Sequence, residues 1–434
     1  MSEPASRRLL LLASKLGYQT RSFAEAARRL GVEVIFGTDR CHRLDDPWGD
    51  AAIPVPFERP AEAATRLLEA CAGQRPDGLL ALGDRPLLTA ALVAGRLGLP
   101  GNPPAAVEIC RSKLRQREAL RAAGLPVPEF TSFSLEQDAV GISRRVRYPC
   151  VVKPLVLAAS QGVMRANNPD EFIAAVQRLR TLLESPEIVV LREPESRRIL
   201  VEDYIPGREV AVEGLLSAGR LRVLAIFDKP DPMEGPYFEE TIYVTPSRLP
   251  EPTQQAIRDG CERTVRALGL FHGPLHAEFR INDAGVWPIE AAPRPIGGLC
   301  ARALRFGPER IYLEELLVRH ALGLPGAELS REPEAAGVMM IPVPRSGVLE
   351  SVEGEPAARA VAGVEELHIT ARLHDYIAAW PEGASYLGFI FARGARPEHV
   401  EAALREAHAR LRFLITPRLP VEHPASGRLP ARAE

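Results

Sequence analysis

Apolar and polar positions alternate along the first hundred residues with two different periods. Short continuous apolar runs predict buried strands, and stretches with apolar residues three and four positions apart predict amphipathic helices. In chain order, the pattern predicts a strand at 7–13, a helix at 22–30, a strand at 32–37, a helix at 61–72, a strand at 78–83 and a helix at 86–97. Strands that alternate with helices indicate a parallel sheet in a Rossmann-like α/β domain. No GxGxxG motif follows the first strand, so the dinucleotide-binding fingerprint is absent.

The following region begins with a helical pattern and continues with strands. We expect one long helix at 103–124, because Asn102 can cap it, prolines can occupy its first turn, and Gly124 and Pro126 can end it. Downstream, the pattern predicts strands at 149–154 and 199–204, a hairpin at 208–215 and 221–227 that continues the second strand, another hairpin at 275–281 and 286–290, and helices at 170–183, 251–268 and 309–322. Beyond about residue 330, it predicts strands at 338–343 and 386–391 and a helix at 397–411.

Composition narrows the class of protein. The chain has 434 residues, 46% hydrophobic and 25% charged, a length that suggests about three domains. Its formal net charge of −2 argues against a general nucleic-acid-binding protein, which normally carries a basic excess. The arginine-rich stretch at 111–121 is interrupted by Glu118, and we interpret it as a solvated helix face. No apolar run approaches the roughly 18 residues of a membrane span, so we expect no membrane partner.

Cysteine usage and the first residues bear on the cellular compartment. The apolar run at 9–13 is too short for the core of a signal peptide. None of the cysteines forms a CxxC pair, which argues against both a zinc site and a disulfide framework. The six scattered cysteines are Cys41, Cys71, Cys110, Cys150, Cys261 and Cys300. We therefore expect reduced cysteines in a cytoplasmic protein.

The first stretch with candidate functional residues is an apolar strand that ends in a lysine. Lys153 is followed by Pro154, so the strand projects one cation from a rigid element. Seven residues after Lys153 begins a loop made of Ser160, Gln161, Gly162 and Val163, whose small side chains allow backbone N–H groups to approach phosphate. Taken alone, a lysine at a strand end is more often a solvated edge charge.

A Pro-Gly turn at 206–207 forms the second stretch. It follows the predicted strand at 199–204, and such a hinge has free backbone groups that can pair with an adenine edge. Glu209, just after the turn, can accept hydrogen bonds from ribose hydroxyls. An ordinary turn between domains, with surface carboxylates, explains this segment equally well.

The hairpin at 275–290 is the most informative stretch. Period-two alternation places His276, Glu278 and Arg280 on one face of the first strand. The tight turn at 282–285 brings Glu278 beside Glu290, where two carboxylates can bind Mg²⁺ together with substrate phosphates. Two acids on a hairpin would ordinarily face solvent, but the surrounding residues are apolar and an unpaired buried carboxylate is costly. We therefore favour a metal site at Glu278 and Glu290.

Taken together, these segments resemble the ATP-grasp superfamily over residues 7 to 325. The resemblance rests on the order of Lys113, the VVKP strand that ends at Pro154, the EDYIPGRE hinge, and the pair formed by Glu290 and Arg294. The sequences of these motifs are similar to those of the L-amino acid ligase and biotin carboxylase branch. The resemblance implies a Rossmann-like N-terminal domain at 1–125, an ATP-binding lid at 126–205, an α+β metal- and substrate-binding subdomain at 206–328, and a small C-terminal α+β domain at 329–434.

The resemblance also implies a role for each matching residue. Lys113 and Lys153 would contact the ATP phosphates, and Ser160 to Val163 would form the phosphate loop. The adenine would be lined by Glu202, Tyr204 and Ile205, and the ribose would be held by Glu209. Mg²⁺ or Mn²⁺ would be bound by Glu278 and Glu290, and the substrate carboxylate or acyl phosphate by Arg294. Lys229 matches more loosely a cation near the γ-phosphate, with a loop charge as the alternative. His276 is a candidate for amine contact or proton transfer, although a hydrogen-bonded core histidine is the more common role.

The implied reaction is ATP-dependent ligation of a carboxylate to an amine. The acid, an amino acid or small organic acid, becomes an acyl phosphate that the amine attacks, with release of ADP and phosphate. The family usually has an asparagine ligand where this chain has Ala292, so the site could hold one metal ion or two.

Two alternatives stay open. One is a bicarbonate-activating carboxylase or carbamoyl-type enzyme, and the other is a non-catalytic ATP-binding protein, which Ala292 favours. The expected partners are small-molecule carboxylate and amine substrates, and a homodimer is compatible with the sequence.

Overall fold

The computed structural model of the chain describes residues 7–14, 17–39 and 52–417. Its N-terminal part is a parallel sheet in the order β3-β2-β1-β4, flanked by helices. The elements are β1 (Arg8–Ala13), α1 (Tyr18–Arg29), β2 (Glu33–Thr38), β3 (Ala52–Pro54), α2 (Pro60–Ala70), β4 (Gly78–Leu82) and α3 (Leu87–Leu97). β1 is central in this sheet, and Leu9 to Leu12 are fully buried there. The parallel α/β domain predicted from the alternating pattern is confirmed.

The prediction of one long helix after this domain was wrong. The chain forms two helices, α4 (Pro104–Cys110) and α5 (Lys113–Ala122), separated at Arg111 and Ser112. The side-chain oxygen of Ser112 accepts a hydrogen bond from the Arg115 N–H, so it caps a new helix instead of continuing the first. Asn102 does not cap α4, because its side-chain oxygen accepts the N–H groups of Phe271 and His272 at 2.7 and 3.1 Å.

A second, antiparallel sheet follows in the order β5-β8-β6-β7. Its elements are β5 (Phe130–Ser134), α6 (Ala139–Ser143), β6 (Cys150–Pro154), β7 (Met164–Ala166), α7 (Pro169–Leu183), α8 (Pro186–Val189) and β8 (Arg198–Asp203). The apolar face of α7 covers the sheet, and Phe172 and Leu179 pack with Val152 and Val201 in one core. This packing fixes β6, so that Lys153 lies at a rigid strand end.

The remaining strands form an eight-stranded antiparallel sheet and two small sheets. The elements up to residue 321 are β9 (Arg208–Ser217), β10 (Arg220–Asp228), β11 (Ile242–Thr245), α9 (Glu251–Leu268), β12 (Gly273–Asn282), β13 (Gly285–Ala292), a 3₁₀ turn (Cys300–Ala303), β14 (Arg305–Phe306), β15 (Ile311–Tyr312) and α10 (Leu313–Ala321). The later elements are β16 (Ala335–Ile341), β17 (Gly347–Glu353), α11 (Glu355–Arg359), β18 (Val364–Ile369), β19 (Tyr376–Ile377), β20 (Gly388–Gly394), α12 (Pro397–Ala409) and β21 (Arg412–Thr416).

The large sheet has the order β13-β12-β9-β10-β11-β16-β20-β18, and its strands come from between residues 208 and 394. β11 pairs with β16, so hydrogen bonds cross the predicted domain boundary between residues 328 and 329. The division into four domains therefore stays a prediction, and the last two of these units share one sheet. The small sheets have the orders β14-β15 and β19-β17-β21.

Two further predictions need correction. The hairpin β9–β10 does not continue β8, because the turn at Pro206 and Gly207 transfers the chain from one sheet to the other. The helix expected at 309–322 begins only at Leu313, since Ile311 and Tyr312 pair with Arg305 and Phe306 as strands.

The structure also describes five cysteines and the longer helices. The described cysteines, Cys71, Cys110, Cys150, Cys261 and Cys300, are buried and free, whereas Cys41 lies outside the described residues. Among the described residues, no helix combines the length and the apolar character that crossing a membrane requires.

Candidate active site

One end of the candidate site is built around Lys153, and we call the group Lys153, Glu202 and Arg117 the phosphate end, after the role predicted for Lys153. Lys153 on β6 forms an ion pair with the Glu202 carboxylate on the neighbouring strand β8. Arg117 on α5 donates from Nε to the same carboxylate at 2.6 Å. All three side chains are buried, so two cations share one carboxylate and the group carries excess positive charge.

Arg117 was not recognised from the sequence, and the interpretation of residues 111–121 as a solvated face was wrong for it. Its side chain is 2% exposed, and its guanidinium also donates to the Ile289 carbonyl at 2.7 Å. Burial lowers the pKa of Lys153, and the charges of Arg117 and Lys113 oppose the raising effect of Glu202. Burial would raise the pKa of Glu202, but Arg117 and Lys153 hold it below its ordinary value.

The segment that leads from β6 into the predicted phosphate loop has an unusual backbone. Leu157, Ala159 and Ser160 have φ angles of 92°, 56° and 55°, in the left-handed region that non-glycine residues rarely adopt. Lys113 donates from Nζ to the Leu157 carbonyl at 2.8 Å, so this predicted phosphate ligand lies beside the loop.

Three N–H groups of the predicted loop are bonded within the protein. Those of Gln161 and Val163 donate to the carbonyls of Ala158 and Ser160, and that of Gly162 donates to the Pro381 carbonyl at 2.8 Å. Phosphate contact by Ser160, Gln161, Gly162 and Val163 stays a prediction.

The hinge residues surround Arg280 of β12. The Tyr204 ring stacks on Phe238 with 6.5 Å between centroids, and the Arg165 guanidinium lies 4.1 Å from the Tyr204 ring centre. Arg280 donates to the Ile205 carbonyl at 2.6 Å and from Nε to Glu209 at 2.8 Å. Tyr204, Ile205 and Glu209 are therefore close together, whereas the Glu202 carboxylate is engaged by Lys153 and Arg117.

Three carboxylates meet at the other end of the site, and we call Glu209, Glu240 and Glu278 the carboxylate cluster. One oxygen from each lies within 4.8 Å of the others, which is a spacing that could hold a metal ion. Lys229, whose side chain is 3% exposed, forms ion pairs with all three, at 2.8 Å to Glu209 and 2.9 Å to Glu278. Hard carboxylate oxygens are ligands that Mg²⁺ and Mn²⁺ prefer, so the donor set fits such an ion.

The pKa values within the carboxylate cluster follow from burial and charge. Burial alone would lower the pKa of Lys229, but the three carboxylates raise it well above its ordinary value. Burial raises the pKa of Glu240 to about 7, against the opposing charge of Lys229 and with support from Glu278. Burial would also raise the pKa of Glu278, but Lys229 and His276 hold it well below its ordinary value. Glu240 is therefore partly protonated near neutral pH.

The two predicted metal ligands lie opposite each other, yet their neighbours differ. Glu278 pairs with Glu290 in the register of β12 and β13, as the turn length predicted. The described carboxylates that meet Glu278 are Glu209 and Glu240, whereas Glu290 lies 3.9 Å from Lys113. Glu240 was missed because it lies in the loop before β11, where only the acid pair of Glu239 and Glu240 ahead of an apolar strand marked it. Metal binding by Glu278 and Glu290 stays a prediction.

Arg294 and His276 are each held by a carboxylate that the sequence did not reveal. Arg294 donates from Nε to Asp84 at 2.6 Å, and Asp84 lies just after β4 of the N-terminal sheet. His276 bonds through Nδ1 to Glu213, and its Nε2 lies 3.6 Å from Glu278.

The protonation of His276 follows from these partners. Burial would lower the pKa of His276, but Glu213 raises it to about 9, so the ring is an imidazolium at neutral pH. Both ring nitrogens therefore have partners, as in a structural core histidine.

Three family models match the chain. They are the ATP-grasp domain at residues 146–303, the ATP-grasp N-terminal domain at 24–101 and the L-amino acid ligase C-terminal domain 2 at 339–416. Among solved structures, an L-amino acid ligase from Bacillus licheniformis is similar with a TM-score of 0.76 and 27% identity, covering 95% of this chain and 100% of that one.

Curated relatives include two ligases from distant organisms. Carnosine synthase 1 of Gallus gallus is 32% identical over 78% of this chain and 38% of its own length. The alanine–anticapsin ligase of Bacillus amyloliquefaciens is 27% identical over 55% of this chain and 53% of its own length. The chain therefore spans about four tenths and about half of the length of these two relatives.

Proposed function

We infer that this chain, an L-amino acid ligase-like ATP-grasp protein, is an ATP-dependent carboxylate–amine ligase that releases ADP and phosphate. The similar proteins include an L-amino acid ligase, an alanine–anticapsin ligase and a carnosine synthase, so we propose an amino acid as the acid or as the amine. ATP with bound Mg²⁺ or Mn²⁺ would supply the phosphoryl group that converts the acid into an acyl phosphate.

The observation that carries this proposal is the opposite charge of the two ends of the site. At the phosphate end, Lys153 and Arg117 share Glu202, which leaves positive charge for phosphate oxygens. At the carboxylate cluster, three acids face Lys229 and Arg280, which leaves one negative charge for a divalent cation once Glu240 has lost its proton. Phosphoryl transfer depends on such positioning and charge neutralisation more than on covalent chemistry by the protein.

The residues of this chain have distinct roles in the proposal. Lys113 and Lys153 would bind phosphate oxygens, and Lys229 would neutralise charge near the transferred group while it holds Glu278 in place. Arg294, oriented by Asp84, would bind the substrate carboxylate, because its planar guanidinium can hold both oxygens. His276 would orient Glu278 through its protonated ring, while Glu213 holds it from the other side.

The test is the product formed with each amino acid offered as acid and as amine. We expect ADP, not AMP, to appear only when a suitable acid is present, and hydroxylamine to convert the intermediate into a hydroxamate. AMP release would contradict an acyl phosphate, turnover driven by bicarbonate alone would indicate a carboxylase, and tight ATP binding without turnover would indicate a non-catalytic protein.

The Arg294→Lys variant sharpens the test. It should bind ATP nearly as wild type and lose coupling of ADP release to the acid, because an ammonium cannot hold both carboxylate oxygens in one plane. Unchanged coupling in this variant would remove Arg294 from the acid site.

A further inference from the structure

The loop after β6 touches a segment that is more than two hundred residues away in the chain. Three consecutive residues, Trp380, Pro381 and Glu382, make the contacts. Trp380 donates from Nε1 to the Ala159 carbonyl at 3.1 Å, and the Pro381 carbonyl accepts the Gly162 N–H at 2.8 Å. These contacts join a loop of the antiparallel lid sheet to the region beyond residue 330.

A third contact extends along the same segment. The Gln161 side chain donates from Nε2 to the Glu382 carbonyl at 2.7 Å. On the outer side, Arg178 of α7 donates to the Glu382 carboxylate at 2.8 Å, so the helix that covers the lid sheet is joined to the segment as well. The segment thus binds the loop through both backbone and side chains.

The segment itself is firmly held. The Gly383 N–H closes a turn on the Ala379 carbonyl at 2.9 Å, and the Ala379 N–H donates to the Ser346 hydroxyl at 2.9 Å. The Trp380 side chain is buried and lies against Tyr386, with 4.9 Å between ring centroids. Tyr386 in turn contacts Phe389 of β20 edge to face, which connects the segment to the large sheet.

The loop needs such support because its backbone is unfavourable by itself. Leu157, Ala159 and Ser160 are all in left-handed conformations, and non-glycine residues keep these only where surrounding structure imposes them. Trp380 donates to the Ala159 carbonyl, and the Pro381 carbonyl accepts the N–H of Gly162, two positions after Ser160. The contacts therefore fall at Ala159 and within two residues of Ser160.

We propose that the segment Trp380–Pro381–Glu382 is a positioning element for the loop at 157–163, and that Trp380 is its principal positioning residue. The segment holds the loop beside Lys113, the predicted phosphate ligand that donates to the Leu157 carbonyl. The proposal rests on the proposed function only in that the loop receives ATP phosphates. It assigns to the region beyond residue 330 a direct part in ATP use.

The test compares Trp380→Phe with Trp287→Phe in the full chain. Trp287 is a matched control, because its Nε1 donates a single 3.1 Å hydrogen bond to Asn282 at the turn between β12 and β13. Trp380→Phe keeps an aromatic ring against Tyr386 and removes the hydrogen bond to Ala159. We expect the KM for ATP to rise about two- to tenfold, the change expected for one hydrogen bond, while the KM for the acid stays constant. Trp287→Phe should leave both KM values unchanged.

A second measurement does not depend on turnover. Amide hydrogen exchange at Gly162 in the protein without nucleotide should accelerate in Trp380→Phe and stay unchanged in Trp287→Phe. Gln161→Met removes the hydrogen bond to Glu382 and alters only the loop, so it is the second variant in case Trp380→Phe does not fold. It should also accelerate exchange at Gly162 and raise the KM for ATP.

The outcomes separate three explanations. Faster Gly162 exchange in Trp380→Phe, together with no ligase activity in the wild type, would support the positioning role and contradict the proposed function. Unchanged exchange and an unchanged KM for ATP in both Trp380→Phe and Gln161→Met would overturn the positioning role. A lower KM for ATP in either variant would overturn it too, because the segment would then block the loop.

Discussion

Two buried lysines lie at opposite ends of the site, and their neighbours differ in number and in sign. At the phosphate end, Lys153 and Arg117 share the single carboxylate of Glu202, which leaves one positive charge in excess. In the carboxylate cluster, Lys229 and Arg280 face three carboxylates, which leaves one negative charge in excess when all three are ionised.

The contrast explains why neither group is a simple buried salt bridge. A balanced buried pair adds little stability beyond an apolar replacement, because desolvation of both charges offsets their attraction. An unbalanced group keeps an uncompensated charge that a ligand of opposite sign can neutralise. The excess positive charge suits a phosphate group, and the excess negative charge suits a divalent cation.

The largest expected effect comes from Lys153→Met. It removes the cation at the strand end but leaves Glu202 paired with Arg117, so the variant should fold while turnover falls about 10²- to 10³-fold. ADP release measures turnover, and a thermal melt checks the fold. The control is Arg266→Met, which removes an exposed charge on α9 and should change neither quantity. Full turnover in a folded Lys153→Met protein would remove Lys153 from the phosphate site.

The second prediction concerns stability without metal. Glu202→Gln leaves two buried cations without a counter-charge, so the free energy of unfolding should fall by about 3 kcal/mol. Glu240→Gln replaces the carboxyl whose pKa burial raises to about 7 and leaves Lys229 paired with Glu209 and Glu278, so its loss should be below about 1 kcal/mol. Urea unfolding in the presence of chelator measures both. Equal losses would contradict the charge difference between the two ends.

The third prediction concerns the metal requirement. Glu278→Gln and Glu240→Gln should each raise the Mg²⁺ concentration needed for half-maximal activity roughly 10- to 100-fold, because each removes a charged donor oxygen. If Glu290 also binds the metal, Glu290→Gln should shift the requirement in the same direction. The measurement is an activity titration with Mg²⁺ after chelation. Wild-type activity that persists in chelator would contradict a metal at this cluster.

The smallest expected effect is a pH dependence of metal binding. Burial raises the pKa of Glu240 to about 7, so this carboxyl keeps its proton below about pH 7 and must lose it before it can bind a cation. The affinity for Mg²⁺ should therefore fall severalfold as the pH decreases from about 8 to about 6. Calorimetric titration without nucleotide measures it, and Glu240→Gln should remove this dependence. An affinity that is flat over this range in the wild type would contradict the raised pKa.

Much of the fold could be predicted from local pattern. The helix α9 begins and ends at the predicted residues, and the register of Glu278 and Glu290 followed from the length of the turn. Both depend on backbone geometry within a few residues. The break between α4 and α5 was missed, although serine favours an N-cap over a helix interior, because Asn102, Gly124 and Pro126 marked only the outer ends of the helical stretch.

The candidate site could be predicted only where it lies on one element. Period two placed His276, Glu278 and Arg280 on one face of β12, and the structure has all three directed to partners in the site. The partners come from elsewhere in the chain. Asp84 follows a strand of the parallel sheet, and Glu240 lies in a loop without any periodic pattern.

The sequence by itself determined which residue types face the same side of each strand, since side chains alternate with the backbone pleat whatever the strand packs against. It also determined the family resemblance, because the order of motifs is a property of the chain. Only the tertiary structure decided that Glu240 meets Glu278, that Arg117 is buried beside Lys153, and that Trp380 supports the loop at 157–163. These contacts join residues from 36 to 221 positions apart, and long-range packing sets such distances independently of local periodicity.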